Sequence, residues 1–297
     1  MKIGIGLRRG AYTPEAYAYR DYLSSKGVSV QLEYEDGLYE DNYVNLYFMG
    51  FRPFFKNRNK RKCLEIHEYQ SLSTPPFAGV KDFLKRSINS QPNGRIFLNE
   101  VVKEQLEFND SIQYICRDMG VDKKIYQEPS SNAEFDIVYC GSISGRAGLI
   151  EEIYRLVSIG FRLLIVGDIQ HDIKTRFVKF GNRIVFAGRV ERHELPEIYK
   201  NCRAGLNYTP DLYPFNIQTS TKTLEYLAAG LMVLTNRYHW SNKFFEGKDG
   251  FCVFLDEINS YESLQKMCGK FPDIHLYEWD AVLERSNLYN FIMGLHR

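Results

Sequence analysis

A chain of 297 residues with 44% apolar side chains has room for about two domains and core enough for each. A formal net charge of +1 excludes a global field that would draw the whole molecule to nucleic acid or to a bilayer. No apolar run approaches the ~20 residues that span a membrane, and the apolar part of the opening MKIGIGLRRGAY is too short for a secretion signal.

In chain order, a strand is expected over Lys2 to Leu7, then a small loop containing Gly4, Gly6 and Gly10. A helix follows from about Pro14 to Ser25, with proline at its start and Gly27 just past its end. VSVQLEY and YVNLYFM read as strands, and KCLEI as another that stops before His67. Val80 to Ile88 reads as helix, RIFLN as strand, and Glu100 to Phe108 as helix again. The polar stretch 122–134, DKKIYQEPSSNAE, holds Pro and paired Ser and reads as a linker between a domain over 1–121 and a domain over 135–275.

The second half restarts the alternation: strand FDIVYCG, helix Leu149 to Ser158, strand RLLIVGD, a short helix, strand RIVFAG, helix His193 to Lys200, strand CRAGLNY. TKTLEYLAAG then opens a helix, and LMVLTN and FCVFL read as strands. Their near-continuous apolar character is that of a parallel sheet covered on both faces. The expected class is α/β, two doubly wound Rossmann-like domains facing across a cleft at the carboxyl ends of their strands, where such folds bind ligands. Helices are expected over Asp256 to Gly269 and Tyr277 to Leu295. The latter, within residues 276–297, packs either on its own domain or back across the first.

The chemistry concentrates in TKTLEYLAAG, Thr221 to Gly230, between two apolar strands. Thr221 and Thr223 are good capping residues, and a helix opened by them points unpaired N–H groups and a positive dipole end at the preceding loop. Lys222 adds a full charge there, and Glu225 follows one turn on. An amide-lined helix start with a lysine suits a phosphate, and the carboxylate suits hydroxyls attached to it. A nucleoside diphosphate offers both; a solvated Lys on an ordinary capped helix is the plainer alternative. Six scattered cysteines, none in CxxC spacing, read as buried reduced thiols of a cytosolic protein.

In order, CGSISGRAG, LLIVGD, IVFAGRVERHELPEIYKNCRAGLNY and TSTKTLEYLAAGLMVLTN resemble the carboxyl-terminal domain of family-four GT-B glycosyltransferases. The likeness covers Phe135 to Asn236 and is thinner in the first domain, where it rests on the loop near Gly6 and on His67. It implies retaining, metal-independent transfer from a nucleotide sugar, with no cofactor, to a glycan or lipid-linked glycan acceptor in bacterial surface polysaccharide synthesis. It further implies that Arg146 and Lys222 hold the donor diphosphate with the amides of Thr221 and Thr223. Glu225 would take the ribose, and the loop at Arg189 and Val190 the base. Gly6, Ser142 and Tyr208 complete the implied donor site. The family's second glutamate, eight residues before the first, is replaced by Ile217, leaving sugar contacts to backbone amides or to Asn216, Gln218 and Ser220.

In catalysis, Arg146 and Lys222 would stabilise the leaving diphosphate, as a metal does elsewhere. There is no Asp-x-Asp pair and no compact histidine spacing for a metal. His67 either orients acceptor or sugar, as the likeness implies, or is an ordinary satisfied histidine, with Glu65 and Glu68 as rivals for acid–base work. Arg52 to Lys62, RPFFKNRNKRK, is either a solvated loop or a docking patch, for peripheral contact with anionic lipid headgroups on the cytoplasmic face of the membrane or for a pyrophosphate-linked acceptor; it is too short and isolated for nucleic acid. Rival readings are a sugar-nucleotide epimerase or phosphorylase on the same fold and a non-catalytic nucleotide-sugar-binding protein. A dehydrogenase is disfavoured because GIGLRRG lacks the third glycine of GxGxxG.

Overall fold

The computed structural model describes residues 1–10, 13–50, 52–56, 63–73, 76–128, 132–143, 146–248, 250–263 and 273–296. The chain divides into two units, Met1–Gly120 with Tyr277–Arg297, and Val121–Leu276. Every strand pairing within the two sheets is parallel.

Unit 1 runs β1 (Lys2–Leu7), α1 (Pro14–Ser25), β2 (Ser29–Tyr34), β3 (Val44–Phe48), β4 (Leu64–Tyr69), α2 (Ala78–Ile88), β5 (Gly94–Phe97), α3 (Glu100–Leu106) and β6 (Tyr114–Cys116). Its sheet has the order β2-β1-β3-β4-β5-β6. Gly4 and Gly6 lie inside β1, paired with β2 and β3, and not in the loop expected to follow the strand. β4 is longer than the apolar run KCLEI foretold, because LEIHEY continues the strand with all six residues buried. Its charged members persist there because each has a partner. Glu65 accepts from Arg52 at 3.0 Å, and Glu68 is bonded by Arg117, which also donates to the Tyr19 hydroxyl at 2.7 Å.

The unit's core gathers Ile3 and Ile5 from β1, Val44 and Leu46 from β3, and Ala16, Tyr19 and Leu23 from α1. The last stretch of chain joins that same core. It forms two short helices, and not the single helix expected over Tyr277 to Leu295: α9 (Trp279–Arg285) and α10 (Leu288–Met293), broken at Asn287, whose φ is +57°. Trp279, Leu283, Phe291 and Ile292 are buried against the unit. Polar ties reinforce this, with Tyr22 donating to Glu284 at 2.7 Å and Tyr43 to the Leu295 carbonyl at 2.6 Å.

Unit 2 runs β7 (Phe135–Cys140), α4 (Leu149–Ser158), β8 (Leu163–Val166), α5 (His171–Thr175), β9 (Ile184–Gly188), α6 (Leu195–Lys200), β10 (Cys202–Asn207), α7 (Thr221–Ala228), β11 (Met232–Thr235), α8 (His239–Phe245) and β12 (Cys252–Phe254). Its strand order is β12-β11-β10-β7-β8-β9. The helix expected over Asp256 to Gly269 is replaced, in its described part, by two single 3-10 turns, Leu255–Glu257 and Tyr261–Ser263; residues 264–269 lie outside the described residues. The first part of the polar stretch 122–134 packs on unit 2. There Gln127 bonds the Ala228 and Pro196 carbonyls, and Tyr126 stacks on His275 at 4.7 Å.

Candidate functional site

In unit 2 the chain lays β8 and β9 outward on one side of β7, then returns to lay β10 on the other side. At such a switch point the loops after the two central strands leave toward opposite faces of the sheet. A crevice opens between them beyond the carboxyl ends. Arg146 belongs to the turn after β7, while Tyr208, Ser220, Lys222 and Glu225 follow β10.

Lys222, in the first turn of α7, reaches back across the end of β7. Its ammonium lies 3.4 Å from the Tyr139 hydroxyl, which in turn donates to the Ser142 carbonyl at 2.7 Å. A side chain at Gly141 would place its Cβ 2.8 Å from Lys222 Cε, and φ there is +133°, so only glycine leaves the lysine its path. Burial, with repulsion from Arg146 second, lowers the Lys222 pKa to about 7. Arg146 is held by a 2.9 Å bond to the Tyr208 carbonyl, and the Tyr208 hydroxyl sits over Gly148, whose φ is +87°. Two cations thus stand close enough to repel each other at the mouth of the crevice, an arrangement an anion would relieve.

Glu225, one turn along α7, keeps 15% of its side chain exposed and lies 3.7 Å from Arg192. Tyr199 donates to it at 3.2 Å. Burial raises its pKa, opposed chiefly by the Arg192 charge. Arg146, Lys222 and Glu225 are therefore brought together, with Lys222 feeling both of the others.

The cap of α7 differs from expectation. Ser220, and neither threonine, is the N-cap: its hydroxyl accepts from the Thr223 amide at 3.3 Å and donates to Asn207 Oδ1 at 3.0 Å. Asn207 is itself fixed by bonds to Thr235 at 3.1 Å and Tyr238 at 3.0 Å. The Thr223 side chain is fully buried, its hydroxyl facing away from solvent. Thr221 and Gln218 are half-buried beside the cap, Ser142 and Arg189 are exposed, and Val190 is half-buried just past β9.

Gly6 and His67 belong to unit 1. His67 lies within β4 and not after it. Its ring is fully buried, with Nε2 3.3 Å from Glu65 and Nδ1 without a partner among the described residues. Burial lowers its pKa, so the imidazole is held neutral. Burial also works against ionisation of Glu65, but the His67 and Arg52 hydrogen bonds and the Arg52 charge outweigh it and hold Glu65 at about 2. Arg52 is thus turned inward, a correction to its place in an exposed basic patch; residues 57–62 of that patch lie outside the described residues.

Sequence reasoning gave no role to Arg192, Tyr199, Tyr139 and Asn207, although all four lie inside segments it singled out, because each supports a residue distant in sequence and only contact in three dimensions marks it.

The layered units and the switch-point site define the class: the fold is that of the GT-B glycosyltransferases. Residues 146–269 match the family described as glycosyl transferase-like. No curated protein is close enough in sequence to match. Over 99% of its length the chain is similar in structure to AviGT4, a glycosyltransferase involved in avilamycin A biosynthesis, at 14% identity and TM-score 0.66, covering 97% of that chain. It is equally similar to sucrose-phosphate synthase from Thermosynechococcus elongatus, at 14% identity and TM-score 0.66, covering all of it. HepE of Anabaena, solved with UDP and glucose, gives 12% identity and TM-score 0.60, with 99% of this chain and 97% of that one covered.

Proposed function

We propose that the protein transfers a sugar from a nucleoside diphosphate sugar to a glycan or lipid-linked glycan, in bacterial surface polysaccharide synthesis on the cytoplasmic side of the membrane. One observation carries this: Arg146, Lys222 and Glu225 converge beyond β7 and β10, where the two cations repel each other. The diphosphate lies against Arg146, Lys222 and the free amides at the start of α7. The ribose hydroxyls donate to Glu225, a carboxylate that charge from Arg192 favours. As the anomeric bond breaks, charge grows on the leaving phosphate and is met by Lys222 and Arg146, a role we assign to them in place of a divalent cation. Transfer proceeds with retention, the leaving phosphate taking the acceptor proton.

Among the described residues no helix is long and apolar enough to cross a membrane. Thermal shift with UDP-, GDP-, dTDP- and CMP-sugars identifies the donor. Glu225→Ala should abolish most of the stabilisation the best donor gives to wild type, and a variant that responds undiminished refutes the ribose assignment.

A further inference from the structure

We propose that Arg192 is a positioning residue of the donor site: shared between Asp122 and Glu225, it keeps Glu225 charged for the ribose hydroxyls, and Asp122 sets how strongly. The inference rests on the ribose assignment made above. Arg192 opens a 3-10 turn, Arg192–Glu194, pinned by a capping box in which the side chains of Glu191 and Glu194 each bond the other's backbone amide. From that turn its guanidinium reaches two carboxylates. One nitrogen lies 3.7 Å from Glu225 Oε1 and another 3.9 Å from Asp122 Oδ2. Neither separation is that of a hydrogen bond, so Arg192 acts on both acids by its charge. The remaining oxygens are anchored elsewhere: Asp122 Oδ1 accepts the Lys124 amide at 3.0 Å, and Glu225 Oε2 accepts the Tyr199 hydroxyl at 3.2 Å. Each carboxylate thus has one oxygen tied down and the other turned to the same guanidinium.

Glu225 needs that charge. Burial pushes its carboxyl toward the neutral form; the Arg192 charge opposes this most, then the Tyr199 hydrogen bond and the Lys222 charge, while Asp122 works with burial. Cys140 at the end of β7, Tyr199 on α6 and Tyr226 on α7 also face Glu225, and burial raises all three, so they stay neutral beside it. A protonated Glu225 would present an O–H where two ribose hydroxyls call for acceptors. Lys222, the other cation within reach, is engaged by the diphosphate in the reading above. Arg192 therefore carries the task of holding Glu225 ionised, and Asp122 both competes for the guanidinium and repels Glu225 directly. The two partners of Arg192 then predict opposite effects. Loss of Arg192 releases the proton affinity of Glu225, whereas loss of the Asp122 charge suppresses it further. A pair that merely braced the fold would weaken binding in both cases.

The test is isothermal titration of the full chain with the best-stabilising nucleotide sugar, at about pH 7 and about pH 5, on wild type and three variants. Affinity that depends on an ionised Glu225 is lost as pH falls through its pKa. Arg192→Leu should bind more weakly than wild type, by a ratio that grows about tenfold between the two pH values. Arg192→Lys, which keeps the charge, should restore most of the loss. Asp122→Asn, which can still cap the Lys123–Ile125 turn, should bind more tightly than wild type at the lower pH. It also keeps the test open if Arg192→Leu does not fold. Inorganic pyrophosphate has no hydroxyl to offer Glu225 and should bind all four proteins nearly alike. An Arg192→Leu ratio that is flat with pH overturns the inference while leaving the ribose assignment standing. So does an Asp122→Asn variant weaker than wild type, or pyrophosphate binding lost with Arg192, which would move that residue into the anion site. Wild type that binds no nucleotide sugar at either pH removes the donor reading and this inference with it.

Discussion

Donor binding should be linked to proton uptake at Lys222. In the free protein its pKa is about 7, because the ammonium is desolvated and faces Arg146. A diphosphate set against it supplies the missing negative charge and returns the pKa toward its ordinary value near ~10.4. Binding therefore favours the protonated lysine. Affinity is highest below pH ~7 and falls as pH rises above it, by up to about tenfold per unit until the bound-state pKa is reached. Between pH ~7 and ~8.5 the loss amounts to about 16-fold at most, the lysine being already half deprotonated at pH ~7. Isothermal titration with the best-stabilising nucleotide sugar, in buffers of different ionisation enthalpy, measures both the affinity and the protons taken up. Lys222→Met should bind more weakly at pH 7 and lose the pH slope. A wild-type dissociation constant that stays flat from pH 6.5 to pH 8.5 would refute the assignment of the diphosphate to Lys222.

Ser220→Ala should cost about 1 kcal/mol in urea unfolding through the lost N-cap and also weaken donor binding, whereas the same change at Thr221 should leave stability nearly unaltered. Trp279→Ala should destabilise unit 1 by about 3–5 kcal/mol, since the ring is buried between Tyr19 and the Arg117 guanidinium; calorimetry should show the loss in one unit's transition while nucleotide stabilisation of the other persists. Arg117→Leu alone should cost about 3–5 kcal/mol by leaving the buried Glu68 without its partner, and adding Glu68→Leu should restore much of it. A double variant no more stable than the single one would show that packing, and not charge, is what Arg117 supplies.

Much of the architecture was legible because the strands of both sheets are short apolar runs separated by helices with clear start signals. Pro14 and Gly27 bracket α1 where the sequence places them. β6 escaped notice because it is three residues long with two of them half-buried, and α8 because HWSNKFF is only seven residues long. LEIHEY was cut short because three titratable side chains look wrong for a buried strand, and their neutralising partners, Arg52 and Arg117, lie elsewhere in the sequence. At the site, the motif order located Arg146, Lys222 and Glu225. Ser220, Thr221 and Thr223 are all sound capping residues, however, and only the bond from Ser220 to Asn207 distinguishes the first of them.

The amino-terminal half-sheet and the final helices share one core, with Val121–Leu276 inserted between them. Emergence from the ribosome therefore inverts the order of completion. The inserted unit has its whole complement of strands and can close while the earlier one still waits for Trp279, Leu283, Phe291 and Ile292 to cover Ile3 and Ile5. A nascent chain stalled just short of those helices would present a bare aliphatic face at its oldest end, an evident binding site for a chaperone.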